Sequence, residues 1–287
     1  MAAVENRKKL VIMNFSGVYE KEDFYKDMQH LWIDCRDILG TNCYCDEEAE
    51  ARIGERIRDK QLKEGIHFLD SGNYHYLSKI WLDQVEEDME LLVFDHHTDM
   101  QLPMFGDILS CGGWIKTVLE HNPRVKRVWL AGPPAQAVRE IAGESWAASG
   151  QRSGPLPGPL PVPLPGPASG MAEVRVVWIS EDDMTDLGFW KKQMGRSSLP
   201  LYISVDKDVL SRDHARTNWN QGSTKRSVLL DCISAAASCR RIIGMDVCGE
   251  DPEGDRESAK AREDISINNQ TNRELICCFM EKCGIVS

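Results

Sequence analysis

Asp95-His96-His97-Thr98-Asp99 places two carboxylates and an imidazole at alternate positions, directly after the apolar run Leu91-Leu92-Val93-Phe94. Where a chain is extended, residues two apart point to one side, so Asp95, His97 and Asp99 would converge as ligands for a divalent cation. Carboxylates gathered at close range repel one another unless a cation neutralises them. A single motif of this kind is also compatible with a solvated strand end. A second cluster follows a second apolar run: Leu201-Tyr202-Ile203-Ser204-Val205 leads into Asp206-Lys207-Asp208, again with two acids at period-two spacing. The third element is Ser71-Gly72-Asn73-Tyr74-His75-Tyr76, a glycine turn that sets His75 at the start of an amphipathic segment. Open parallel sheets bind ligands at the carboxyl ends of their strands, so three such elements point to one shared site. His75, Asp95, His97, Asp99, Asp206 and Asp208 are too many for one ordinary ion and suit two, with some carboxylates bridging.

Two ions about 3.5–4 Å apart hold a bridging hydroxide and lower the pKa of water from about 15.7 toward ~7. At about 1.36 kcal/mol per pKa unit, that is on the order of 12 kcal/mol in favour of hydroxide. No serine or cysteine nucleophile is then needed. Asp99 is the carboxylate placed to shuttle the proton.

The ordered set of a glycine turn with His75, D-x-H-x-D at Asp95 to Asp99 and S-x-D-x-D at Ser204 to Asp208 resembles the arginase/agmatinase/formiminoglutamase (ureohydrolase) family. The whole chain looks like an arginase-like branch of uncharacterised bacterial proteins. The resemblance implies that His75, Asp95, Asp99 and Asp206 hold one manganese. It implies that Asp95, His97, Asp206 and Asp208 hold the other, with Asp95 and Asp206 bridging. It also implies a glutamate near the end of the strand around Asp246 that pairs with a substrate guanidinium. Glu250 is the candidate, one residue later than the usual spacing, where Gly249 stands.

The chain departs from that family around the substrate. Ser110-Cys111-Gly112-Gly113-Trp114 lacks the proton-transfer histidine that arginases carry there. Gln101, Ser110 and Cys111 occupy the region where arginases grip an amino-acid carboxylate. Thr217-Asn218-Trp219-Asn220-Gln221-Gly222 replaces a Thr-Gly-Thr-Pro type segment, with Trp219 and Trp114 as candidate walls. His214 is the loop histidine left to act as acid or base. The expected activity is therefore hydrolysis of a linear C–N bond in a guanidino, amidino or formimino compound rather than of arginine itself. A single-zinc deacetylase-like amidohydrolase and a non-catalytic metal or guanidino-ligand binding protein remain as alternatives.

The elements that must position these residues follow an α/β pattern. Apolar runs at 10–15, 67–69, 91–94, 125–131, 174–179, 201–205 and 241–246 read as strands. Amphipathic stretches at 46–61, 76–89, 113–121, 227–238 and 273–282 read as helices between them. Such alternation predicts a three-layer α-β-α domain with a parallel sheet, and 287 residues suffice for one large domain. One stretch, about 149–170, has proline at nearly every second position and can form neither a helix nor a central strand. It reads as a low-complexity surface insertion.

A net charge of −11 argues against nucleic acid or an anionic membrane as partner. The expected partner is a small-molecule substrate, and a homo-oligomer is compatible with the chain. No apolar run approaches the ~20 residues of a membrane span, and Leu10-Val11-Ile12-Met13 is too short for a signal sequence, so a cytoplasmic location is expected. The ten cysteines show no zinc-finger spacing. Cys232, Cys239, Cys277 and Cys278 read as core filler in helices.

Overall fold

The computed structural model describes residues 10–58, 62–102, 106–137, 161–162, 176–252 and 258–283. The strands are β1 (Leu10–Asn14), β2 (His30–Asp34), β3 (Tyr44–Cys45), β4 (Ile66–Phe68), β5 (Met89–Phe94), β6 (Leu109–Ser110), β7 (Val125–Ala131), β8 (Pro161–Val162), β9 (Val176–Ile179), β10 (Leu201–Asp206) and β11 (Ile242–Cys248). The helices used below are α1 (Glu47–Arg56), α2 (Leu77–Leu82), α3 (Trp114–His121), α4 (Leu187–Met194), α5 (Arg226–Cys239) and α6 (Ala259–Cys278). The main sheet runs β2-β1-β4-β11-β10-β5-β7-β9-β8. Its first eight strands are parallel, and β8 adds antiparallel at the edge. This is the expected three-layer α/β architecture.

Burial on both faces makes the central strands nearly continuous apolar runs. Their side chains alternate between two cores. Leu91, Val93 and Tyr202 face α1, α2 and α3 through Ile53, Trp81 and Trp114. Leu92, Phe94 and Ile203 face α4, α5 and α6 through Trp190, Ile233 and Leu275. From β4 the chain passes over the places later taken by β11 and β10, forms β5, and then winds outward to β7 and β9. The reversal lies where β5 meets β10, and ligands bind at such a point outside the carboxyl ends of the strands.

Several sequence expectations need correction. The helix expected over 76–89 stops at Leu82, and Met89 and Glu90 belong to β5. An acid in that strand is tolerated because buried Glu90 accepts from Trp129 Nε1 at 2.7 Å and faces Arg240 at 3.3 Å. The final helix begins at Ala259, far ahead of the expected 273. Its inner face carries Asn268, Asn269, Thr271 and Asn272, which hides the helical apolar period. The two-residue strand β8 shows that the proline-rich stretch does join the sheet, at the edge where a missing N–H is harmless. The rest of that stretch lies outside the described residues. Cys232 is core as expected, whereas Cys239 and Cys277 are exposed. No helix among the described residues is long and apolar enough to cross a membrane.

Candidate metal centre

All six expected ligands meet at the carboxyl ends of β5 and β10. The route differs from simple strand alternation. β5 ends at Phe94, and residues 95–99 form a loop. Asp99 adopts a left-handed backbone (φ 47°), which turns its carboxylate back over the strand end. Trp114 Nε1 donates to Asp99 Oδ2 at 2.7 Å and fixes it there. On β10, Asp206 closes the strand and caps a 3₁₀ turn, Lys207–Val209, by accepting from the Asp208 amide at 3.0 Å. That turn brings Asp208 beside Asp206 and sends Lys207 into the interior. His75 follows a 3₁₀ turn at Gly72–Tyr74.

Asp95 lies between the two histidines. Its Oδ2 is 3.1 Å from His75 Nδ1, and its Oδ1 is 3.5 Å from His97 Nδ1. The His75 side also has Asp99 Oδ2 at 2.9 Å and Asp206 Oδ2 at 3.7 Å. The His97 side has Asp208 Oδ2 at 2.8 Å. His75 is anchored from behind, its Nε2 2.9 Å from Ser204 Oγ. Yet the close approaches of His75 Nδ1 and Asp95 Oδ2 are not aligned as hydrogen bonds, so both atoms are buried without one. Buried polar atoms are rarely left so. Orphaned nitrogen and oxygen atoms aimed at one another are what a pair of divalent cations would satisfy, and this donor set fits them.

A cavity of about 240 Å³ opens onto five of these ligands: Asp95, His97, Asp99, Asp206 and Asp208. Gln101, Ser110, Cys111 and Trp219, the four residues read from the sequence as substrate contacts, line it as well. Trp219 is held over the cavity by donation from Nε1 to Asn73 Oδ1 at 2.8 Å, and its ring lies 5.5 Å from that of His97. Gly72 packs beneath, where an added Cβ would come within 2.9 Å of Trp219 and 2.8 Å of Asp206 Oδ2. Cys43 and Tyr44 also line the cavity. The sequence reading missed both, because only the pairing of β3 with β6 carries them there.

Two candidates are not brought to the cavity. Glu250 is fully buried; it pairs with Lys207 and accepts from Asn268 and Asn272 at 2.6 and 2.8 Å. A carboxylate so engaged has no path to a substrate guanidinium. Gly249 cannot supply one either, since a Cβ there would meet Asp206 Oδ1 at 2.5 Å. His214 sits in a turn closed by its own amide on Ser211 at 2.9 Å and is not among the lining residues. Asp246 lies inside β11, bonded to His67 at 2.7 Å and Tyr202 at 2.8 Å.

No protein-family model matches the chain. An uncharacterised protein of Thermotoga maritima is 27% identical over 276 residues, covering 96% of this chain and 91% of that protein. Proclavaminate amidino hydrolase from Streptomyces clavuligerus superposes with a TM-score of 0.64 at 13% identity, over 97% of this chain and 92% of its own. The chain has the arginase (ureohydrolase) fold. Formiminoglutamase of Trypanosoma cruzi, solved with Mn2+, shares it with a TM-score of 0.58 at 11% identity, over 97% of this chain and 96% of its own.

On this arginase-type scaffold the ligands also compete for protons. Burial, then the charge of Asp208, pushes Asp206 up to about 7. Burial, then Asp95, pushes Asp208 up to about 6. Burial works against a charged His97, but Asp208 and Asp95 outweigh it and raise it to about 11. The folded metal-free protein thus holds more protons than the unfolded chain between the ordinary carboxylate range and neutrality. The two raised carboxyls therefore cost stability as pH rises through that interval. A cation displaces those protons and removes that cost. The rise in melting temperature on adding manganese should be larger at pH 8 than at pH 5.5, as calorimetry would show; an equal or smaller rise at pH 8 would contradict the proton competition.

Proposed function

We propose that the chain is a binuclear metal-dependent hydrolase that cleaves a linear C–N bond of a guanidino, amidino or formimino compound. The observation that carries this reading is Asp95, which lines the cavity and whose two oxygens face two different histidines. His75, Asp95, Asp99 and Asp206 would hold one cation, and Asp95, His97, Asp206 and Asp208 the other. Manganese is the ion implied by the family resemblance. When bound, such a pair lowers the pKa of water and polarises the carbon under attack.

The rest is work for the side chains. Asp99 offers a carboxylate at the cavity, oriented through the oxygen that takes the Trp114 N–H. It is placed to take a proton from water and pass it to the departing amine. Trp219 and Leu102 supply apolar wall, and Gln101 and Ser110 supply polar groups for orientation. Among the described residues no lysine or arginine lines the cavity, so these walls neither repel a planar cation nor clamp a substrate carboxylate.

Protein loaded with manganese and dialysed should retain about two ions per chain and turn over at least one member of a panel of guanidino, amidino and formimino compounds. Asp99→Asn should lower kcat roughly 10²- to 10⁴-fold, the usual size for loss of a general acid or base. One tightly held zinc per chain would favour the deacetylase-like chemistry. Two retained ions without turnover of any compound would leave a binding protein.

A further inference from the structure

Cys248 is the last residue of β11, the strand that pairs with β10. It is 1% exposed, and its Sγ lies 3.2 Å from Asp206 Oδ2. The local backbone explains the approach. Gly249 has φ +95°, and the space a Cβ would fill is taken by Asp206 Oδ1 at 2.5 Å and the Lys207 amide at 2.8 Å. The β11 terminus is thereby pressed against the β10 terminus, and the thiol is carried to the rear of the metal centre. His75, Asp206 and Cys248 offer ligand atoms that all lie within 4.8 Å of one another. His75 is buried to 1%, and its Nδ1, though close to Asp95 and Asp99, makes no aligned hydrogen bond. The other two ligand groups in this region, His75 with Asp95 and Asp99, and Asp95 with His97 and Asp208, contain only nitrogen and oxygen.

We propose that Cys248 is a ligand of the cation on the His75 side, so that this half of the centre carries a thiolate and prefers a thiophilic ion over manganese. The inference rests on the binuclear reading above. Sulfur selects zinc, cobalt or iron, whereas carboxylate-rich sites suit manganese. The two halves then differ in kind: a nitrogen, oxygen and sulfur site beside His75, and a nitrogen and oxygen site beside His97. On binding, the Sγ–H bond breaks, an Sγ–metal bond forms with the same electron pair, and the proton leaves to solvent. No oxidant or reductant is involved.

Cobalt is a suitable probe, because thiolate bound to Co2+ gives an intense near-ultraviolet charge-transfer absorption that carboxylate and imidazole do not. The full chain, stripped with chelator and titrated with Co2+, should bind two ions and develop that absorption with one of them. Cys248→Ser should lose the band while still binding two cobalt ions, and its zinc-over-manganese preference should fall. X-ray absorption at the zinc edge of the unaltered chain should show a sulfur neighbour at about 2.3 Å. If Cys248→Ser does not fold, the Cys43→Ser/Cys111→Ser double variant, which removes the two thiols at the cavity, should keep the band. Two cobalt ions bound without the band, or a band that survives Cys248→Ser, would overturn the proposal and leave the binuclear reading standing. Failure to bind any cation would overturn both.

Discussion

Asp95→Ala should leave the protein unable to retain either cation, whereas His75→Ala should retain about one per chain. The difference follows from geometry. Asp95 sends one oxygen to each histidine, 3.1 Å on one side and 3.5 Å on the other. Its removal strips a donor and a shared negative charge from both halves. His75 belongs to one half, and the His97 side keeps Asp95 and Asp208 when it is lost. Asp206→Ala should resemble Asp95→Ala, because Asp206 faces His75 at 3.7 Å while its other oxygen takes the Asp208 amide and sets the second half. Turnover should fall to background in both aspartate variants, since water activation needs the cation pair. Manganese content after dialysis, measured by elemental analysis beside circular dichroism for folding, decides it. Equal retention in all three folded variants would remove the bridging role.

The clustering of the candidate ligands was legible in the sequence because the signal was local: acids and histidines placed directly after apolar runs. The mechanism of their convergence was not. Period-two spacing at Asp95 and Asp206 suggested extended strand ends, but a left-handed Asp99 and a 3₁₀ turn after Asp206 do the positioning. A 3₁₀ turn also separates neighbours, so Lys207 runs inward between two ligands that face the cavity. The cavity wall was only half legible. Gln101, Ser110, Cys111 and Trp219 were found through their place relative to the motifs. Cys43, Tyr44 and Asn73 reach the cavity or its roof through long-range pairing that no local pattern announces. Glu250 shows the opposite failure. An acid at a strand end reads as a functional group, and only the burial of Lys207 reveals that it serves as a counter-charge.

That counter-charge makes the second large effect. Lys207 and Glu250 are both fully buried and paired, and Lys207 also donates to Asn272 at 3.1 Å. Glu22 lies against them, hydrogen-bonded to Glu250, and burial followed by the Glu250 charge pushes its carboxyl well above the usual range. Burial and the Glu250 charge thus favour the proton on Glu22, while the nearby Lys207 charge pulls its carboxyl the other way. Lys207→Met should cost about 3–5 kcal/mol, because it leaves a buried carboxylate without a counter-charge. Glu250→Gln should cost distinctly less, since Glu22 can lose its proton and become the partner of Lys207. Glu22→Gln should be mild alone. The double variant Glu22→Gln/Glu250→Gln leaves the ammonium with no carboxylate, and its cost should exceed the sum of the single variants, with a coupling of roughly 0.5–3 kcal/mol. Urea unfolding of the four proteins gives the cycle directly. Lys207 also sits between two ligands, so Lys207→Met should weaken manganese retention along with stability. If Glu250→Gln is as costly as Lys207→Met and the cycle is additive, Glu22 is not the reserve charge.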